Sequence, residues 1–377
     1  MFAVSHSADL GVFRADVASF LGQERAAGRA CEDFGAILPP HQHDAALRWQ
    51  RRLAETGFAG LHWPLEYGGG GLSQAHSIIW YEECARAQVA PYLNLQGIVL
   101  AGEAILRSGT SAQKQRFLAP TLNGDILWCQ LFGEPEAGSD LASLQTKAQI
   151  DGERYILNGQ KVWSSNGQFA QFGILMARTD PDAPRHKGIS FFLLDMELPG
   201  VDVRPLKQMT GDEEFCEVFF DDVEMPADAL LGAPHDGWRV AMDVLGDERG
   251  SFGAAGVISL DQRLAGIAGM AAGADTLAKD QLASLLGRGH ALKTLLLRSS
   301  DNPTMAPAVK VVRSELDVDV NSLSAGLRGA SAMLAGAETD TFLYAPGMRV
   351  AGGTSEIQRN IIGERILGLP REPNPTS

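Results

Sequence analysis

Ala241, Leu245, Glu248, Phe252 and Ala255 are spaced so that a helix would carry all of them on one face. That face is otherwise apolar and is expected to point inward. A carboxylate there is costly unless it is paired or used. Desolvation raises the pKa of such a group, and a raised pKa suits a general base working near neutrality. The bland alternative is a buried ion pair, for which Arg249, Arg263 and Arg365 are candidate partners. Spacing alone leaves both open.

A second constellation lies between Trp128 and Ser165. Pro135 removes a backbone donor and fixes φ, so no regular helix or central strand is expected through Gly133–Asp140. Gly133 and Gly138 let the backbone come close to a planar ligand. Leu144, Thr146 and Ala148 alternate with polar residues, which predicts a half-buried strand. Asp151-Gly152 reads as a hairpin turn, Tyr155–Leu157 as a strand, and Asn158-Gly159 as another turn. Lys161–Ser165 then reads as a further strand ending in hydroxyls. Trp163 and Phe132, read on their own, are ordinary core aromatics.

The elements that must position these residues form three blocks. Residues 1 to about 125 read as helical, with Phe13, Val17, Phe20 and Leu21 at helical spacing and a helix over Leu47–Leu53 stopping at Gly57. Thr110 and Gln113 form a capping box for the last helix of that block. The glycine run in residues 62–73 has no following Lys-Ser/Thr, so it reads as a turn and not a phosphate loop. Residues 126–232 have short strands and frequent turns, as expected of a small antiparallel β-domain. From 233 the pattern is helical again, with helices expected over 240–272, 274–298, 306–336 and 354–367.

Composition excludes several classes. A net charge of −14 offers no basic patch for nucleic acid. No apolar run is long enough to span a membrane, and no secretory signal is visible at the N-terminus. Cys31, Cys84, Cys129 and Cys216 lack metal spacing and read as buried thiols of a cytoplasmic chain. The acidic clusters at 212–214 and 221–222 read as a solvated face or turn, and no metal site is expected.

GEPEAGSD (133–140), NGQKVWSS (158–165), FCEVFFDDVEMP (215–226) and GGTSEIQRNIIGERILGLPRE (352–372) occur in the order seen in the acyl-CoA dehydrogenase family, which the chain resembles over nearly its whole length. The resemblance implies an α+β fold of three domains: helical 1–125, a flavin-cradling β-domain 126–232, and a helical bundle 233–377. It implies FAD as cofactor, an acyl-CoA substrate, and an electron-transfer flavoprotein as acceptor. In the family a carboxylate takes a proton from the α-carbon, and a hydride leaves the β-carbon for the flavin. The base stands in one of two places. One is here Gly352, which cannot act; the other is Glu248, before Arg249.

By the same resemblance Gln130, Phe132, Gly133, Trp163, Ser165, Thr354 and Glu356 are expected at the flavin. Ser139, Arg249 and Gly352 are expected at the substrate. Gly133 departs from the Ser or Thr of many relatives. The segments with which homotetrameric relatives hold the ADP half of FAD are absent around 273–286 and 325–347. That asymmetry resembles the heteromeric members of actinobacteria, several of which act on steroid side chains, and leaves a homotetramer or an α2β2 heterotetramer. The alternatives are a non-catalytic partner subunit, a relative that uses O2 or a carrier-protein thioester, and a relative that has lost flavin.

Overall fold

The computed structural model describes residues 9–371 apart from 36 and 94, and their side chains apart from those of 246–255, 300, 301 and 303. Glu248 and Arg249 therefore fall, as side chains, outside the described residues. The chain divides into two units, residues 1–248 and 249–377.

The first unit opens with α1 (Leu10–Ala26), α2 (His43–Thr56), α3 (Gln74–Ala87), α4 (Gly102–Ser108) and α5 (Ser111–Asn123). Asp9 caps α1 by accepting from Gly11 N at 2.8 Å. The face of α1 that the spacing predicts, Phe13, Val17, Phe20 and Leu21, is fully buried. Phe20 stacks on Phe58 at 4.3 Å, and Phe58 on Trp80 at 5.0 Å. Each such side chain contributes about 1.5–3 kcal/mol by leaving water. α2 stops at Gly57, in the left-handed conformation of a helix C-cap. The capping box of α5 is present in full, and Gln113 also donates to the carbonyls of Asp228 and Leu230 at 2.8 and 2.9 Å. That side chain thus caps a helix and ties it to the sheet. The glycine run serves packing: a Cβ on Gly69 or Gly70 would strike the Trp63 or Leu61 backbone.

The sheet contains β1 (Trp128–Leu131), β2 (Lys147–Asp151), β3 (Arg154–Ser165), β4 (Phe172–Arg178), β5 (Ile189–Asp195), β6 (Val201–Leu206), β7 (Phe215–Pro226) and β8 (Leu230–Leu231). Its order is β6-β7-β3-β2-β4-β5-β8. It is antiparallel except at β4, which takes β1 and the first residue of β2, Lys147, in parallel. Cys129, Leu157, Leu175, Phe192 and Val218 lie in its core.

Asn158-Gly159 does not turn the chain. β3 runs through it without a break, and the irregularity falls on β7, where an extra residue stands opposite. Asn158 serves that bulge: its amide donates to Asp222 Oδ1 at 2.9 Å, and its oxygen accepts from Asp222 N at 3.0 Å. Asp221 and Asp222 accordingly form an exposed stretch of a strand, a solvated face and not a turn.

α6 (Gly237–Met270) leads into the second unit, which holds α7 (Thr276–Asp301), α8 (Ala306–Arg328), α9 (Ala337–Val350) and α10 (Ser355–Ile361). Leu260, Leu264, Leu285, Leu292, Leu316 and Val320 lie in its core. The helix expected over 306–336 ends early. Gly329 takes φ +55°, a 3-10 turn follows, and α9 starts anew.

All four cysteines are free and buried, as expected. Among the described residues no helix is long and apolar enough to cross a membrane, and no cluster suits a metal ion.

Candidate functional site

A regular strand puts residues i and i+2 on one side, so Lys161 and Trp163 should face the same way. They do not. Lys161 is 0% exposed and Trp163 is 63% exposed, the reverse of their hydrophobicities. The cause is a second bulge, this one on β3. Lys161 pairs with Val218 and Ser164 with Cys216, leaving one residue extra on β3. Trp163 absorbs the misfit at φ +60°, which costs a residue with a Cβ about 1–2 kcal/mol. A residue that is both strained and, though apolar, exposed is the kind of outlier that clusters at ligand sites. Its ring meets Phe215 edge-on at 5.9 Å. Ser165, at the strand's end, is half-buried.

The loop leaving β1 lies beside this bulge. Gln130 is half-buried. The Phe132 side chain is in the core, edge-on to Phe191 at 5.7 Å, so that residue can offer a ligand only its backbone. Val162 N donates to the Gly133 carbonyl at 3.0 Å. A Cβ on Gly133 would stand 3.3 Å from Val162 O. The missing hydroxyl at this position therefore comes with a close approach of the two segments.

Beneath them sits an ion pair that was not among the sequence candidates. Lys161 Nζ donates to Glu134 Oε1 at 2.7 Å and to the Phe132 carbonyl at 3.1 Å. Glu134 also accepts from Gln145 N at 2.6 Å and Thr146 N at 3.0 Å. Burial pushes the Lys161 ammonium below its ordinary pKa against the pull of Glu134. Burial pushes the Glu134 carboxyl up, but Lys161 and the two backbone donors bring it below its ordinary value. One signal was available: counting inward positions from Tyr155 and Leu157 turns Lys161 inward, where it needs a partner.

Ser139 is exposed, beside an Asp140 that accepts from Arg185 at 2.8 Å. The remaining candidates belong to the second unit. Thr354 caps α10 by accepting from Ile357 N at 3.2 Å. Glu356 is exposed, its carboxyl held below its ordinary value by its own backbone N–H and the Thr354 hydroxyl. The Gly352 carbonyl accepts from Gln358 Nε2 at 2.8 Å. Lys310 Nζ donates to the Arg349 carbonyl at 2.8 Å just before this loop. Arg263, a possible partner of Glu248, pairs with Asp317 at 3.0 Å. The structure thus brings Gln130, Gly133, Trp163 and Ser165 together with the Phe132 backbone in one unit, and groups Gly352, Thr354 and Glu356 in the other. The first group suits a flat, polar-edged ring, with an exposed aromatic, a glycine-lined edge and a terminal hydroxyl.

Models of the acyl-CoA dehydrogenase N-terminal, middle and C-terminal domains match residues 10–125, 129–223 and 235–367. The chain is similar to the acyl-CoA dehydrogenase IpdE1 of Mycobacterium tuberculosis, 38% identical over 97% of this chain and 99% of that protein. Among solved structures it is similar to the ChsE4-ChsE5 complex from Mycobacterium tuberculosis, with 27% identity and a TM-score of 0.81 over 98% of this chain and 100% of that one. It is also similar to the Tcur3481-Tcur3483 steroid ACAD, with 25% identity and a TM-score of 0.81 over 98% and 100% of the two chains.

Proposed function

The chain belongs to the acyl-CoA dehydrogenase family, and from that premise we propose that it oxidises an acyl-CoA thioester to the trans-2-enoyl-CoA. Glu248 is the base that takes the α-proton. It is the carboxylate on an otherwise apolar helix face, and the family's other base position holds Gly352. The Gly352 backbone N–H bonds the thioester oxygen, where negative charge develops as the proton leaves. Ser139 and Arg249 contact the substrate.

FAD, the family's cofactor, accepts the β-hydride when bound. Trp163, the Ser165 hydroxyl, Gln130, Gly133 and the Phe132 backbone would hold its ring. Thr354 and Glu356, at the start of α10, are its remaining candidate contacts. The single observation carrying this reading is the inverted β3, which exposes Trp163 at the expense of backbone strain beside a glycine edge. The domain limits that go with it are 1–125, 126–232 and 233–377.

Two similar structures are named as pairs of chains, one of them a steroid ACAD. Together with the missing ADP segments, this supports an α2β2 assembly in which this chain bears the base, with a bulky acyl-CoA as substrate. An electron-transfer flavoprotein is the acceptor. The free thiols fit a cytoplasmic enzyme.

The test is the visible spectrum and solution mass of the purified chain, alone and co-expressed with a related chain. Flavin is expected at full occupancy only in the pair, and acyl-CoA should bleach it anaerobically. Glu248→Gln should keep the flavin and lose the bleaching. A yellow homotetramer would remove the partner, and a Glu248→Gln variant with near-native turnover would remove the base.

A further inference from the structure

We infer that the buried Lys161–Glu134 pair is the positioning device of the ring cradle: it fixes the Phe132–Gly133 peptide so that its N–H faces the flavin. This rests on the flavin reading above. The geometry is as follows. Lys161 Nζ holds the Phe132 carbonyl at 3.1 Å. In a trans peptide the N–H points opposite to the carbonyl, so the Gly133 N–H is turned away from the lysine. The next carbonyl, that of Gly133, is held by Val162 N at 3.0 Å. Both carbonyls of this stretch therefore turn toward β3.

Glu134 anchors the lysine in turn. Its carboxylate accepts from Gln145 N, Thr146 N and Lys161 Nζ, and its own backbone closes a turn with Ala137, at 3.2 and 3.1 Å. Three segments meet at this one side chain: the loop after β1, the entry to β2, and β3 at the bulge that exposes Trp163. The pair carries no net charge, and Lys161 is wholly buried. It therefore acts through the backbone it holds, not by contact with a ligand. Shape alone gives no reason for a lysine here. An aliphatic residue would fill the same space without the cost of desolvating an ammonium.

The experiment uses the holoprotein, with its partner chain where FAD needs one. Lys161→Met removes the donor to Phe132. Lys161→Met/Glu134→Gln removes it without leaving a buried charge, so that folding is kept. Leu157→Ala, in the core of the same strand, is the control for general destabilisation. FAD affinity is measured by fluorescence titration, the bound flavin by its visible spectrum, and the fold by thermal melting. The double variant is expected to melt cooperatively, to bind FAD up to about tenfold more weakly, the worth of the one neutral N–H bond that a misplaced Gly133 peptide would lose, and to show a shifted flavin band. Leu157→Ala should lose melting temperature with the flavin band unchanged. Wild-type affinity and spectrum in the double variant would overturn the inference. So would equal losses in Leu157→Ala. A wild-type protein that binds no FAD in any assembly would instead sink the flavin reading itself.

Discussion

Gly352 and Gly353 stand side by side between α9 and α10, and alanine should cost very different amounts at the two. Both lie in the left-handed region, at φ +64° and +92°. A residue with a Cβ pays about 1–2 kcal/mol there, and alanine returns about 0.4–1 kcal/mol by restricting the unfolded chain. At Gly352 an added Cβ meets nothing within 4 Å, so Gly352→Ala should cost about 1 kcal/mol. At Gly353 it would stand 2.5 Å from Gln358 Nε2. That amide donates to the Gly352 carbonyl at 2.8 Å, and the Gln358 side chain is fully buried. It cannot swing into water, so relieving the clash breaks the bond and strands a buried polar group, at about 1–3 kcal/mol. Gly353→Ala should therefore cost about 2–4 kcal/mol in all. Urea unfolding of both variants, compared at equal m-values, measures the difference. Equal losses, or a larger loss at Gly352, would refute the loop geometry on which the placement of Thr354 and Glu356 depends.

Trp163→Gly should leave stability within about 1 kcal/mol of wild type, because relief of left-handed strain offsets the entropy of glycine. It should still abolish tight FAD binding, whereas a large fall in melting temperature would mean that the indole is structural. Gly102→Ala should destabilise by about 1–3 kcal/mol or more. Its Cβ would fall 2.0 Å from Trp63 Cζ2, in a ring with no exposure and no room to move, and thermal melting reads the loss. Glu24 accepts from Arg29 at 2.7 Å and Arg52 at 3.0 Å while nearly buried. The Arg29 bond, against burial, holds its carboxyl below the ordinary value of 4.5. A depressed native pKa gives stability that is complete above the ordinary value and lost as pH falls through the native one. Glu24→Gln should therefore flatten the acid limb of a stability–pH curve below about pH 4.5 and lower the plateau at neutrality.

The elements with local chemistry were the ones legible in the sequence. α1 showed its apolar spacing, α5 its capping box, and α2 its stop at Gly57, and the structure has each. What failed to read were features set by a neighbour distant in sequence. Asn158-Gly159 has the composition of a turn, yet it stays extended because β7 supplies the extra residue and Asp222 takes both bonds of the Asn158 amide. The helix expected over 306–336 stops at Arg328, and α9 lies beyond it in a stretch where no helix is expected; a 3-10 turn and two glycines at positive φ, Gly329 and Gly336, separate the two.

The candidate site follows the same division. Trp163 and Ser165 could be picked out by resemblance, but the reason Trp163 is displayed could not, because a bulge exists only relative to the strand opposite. Period-two alternation assigns Lys161 and Trp163 to one face, and that assignment is right for the lysine and wrong for the tryptophan. The two facts have one origin. To turn Trp163 outward the strand must gain a residue after Lys161, and the gain leaves the lysine inside, next to the loop whose carbonyl it then holds. Glu134 lies 27 residues away in sequence, so no local pattern links the two charges. Yet an ammonium 0% exposed without a carboxylate would be several kcal/mol less stable. Display of the aromatic and burial of the ion pair are thus one structural decision, and a change that removes the bulge should lose both together.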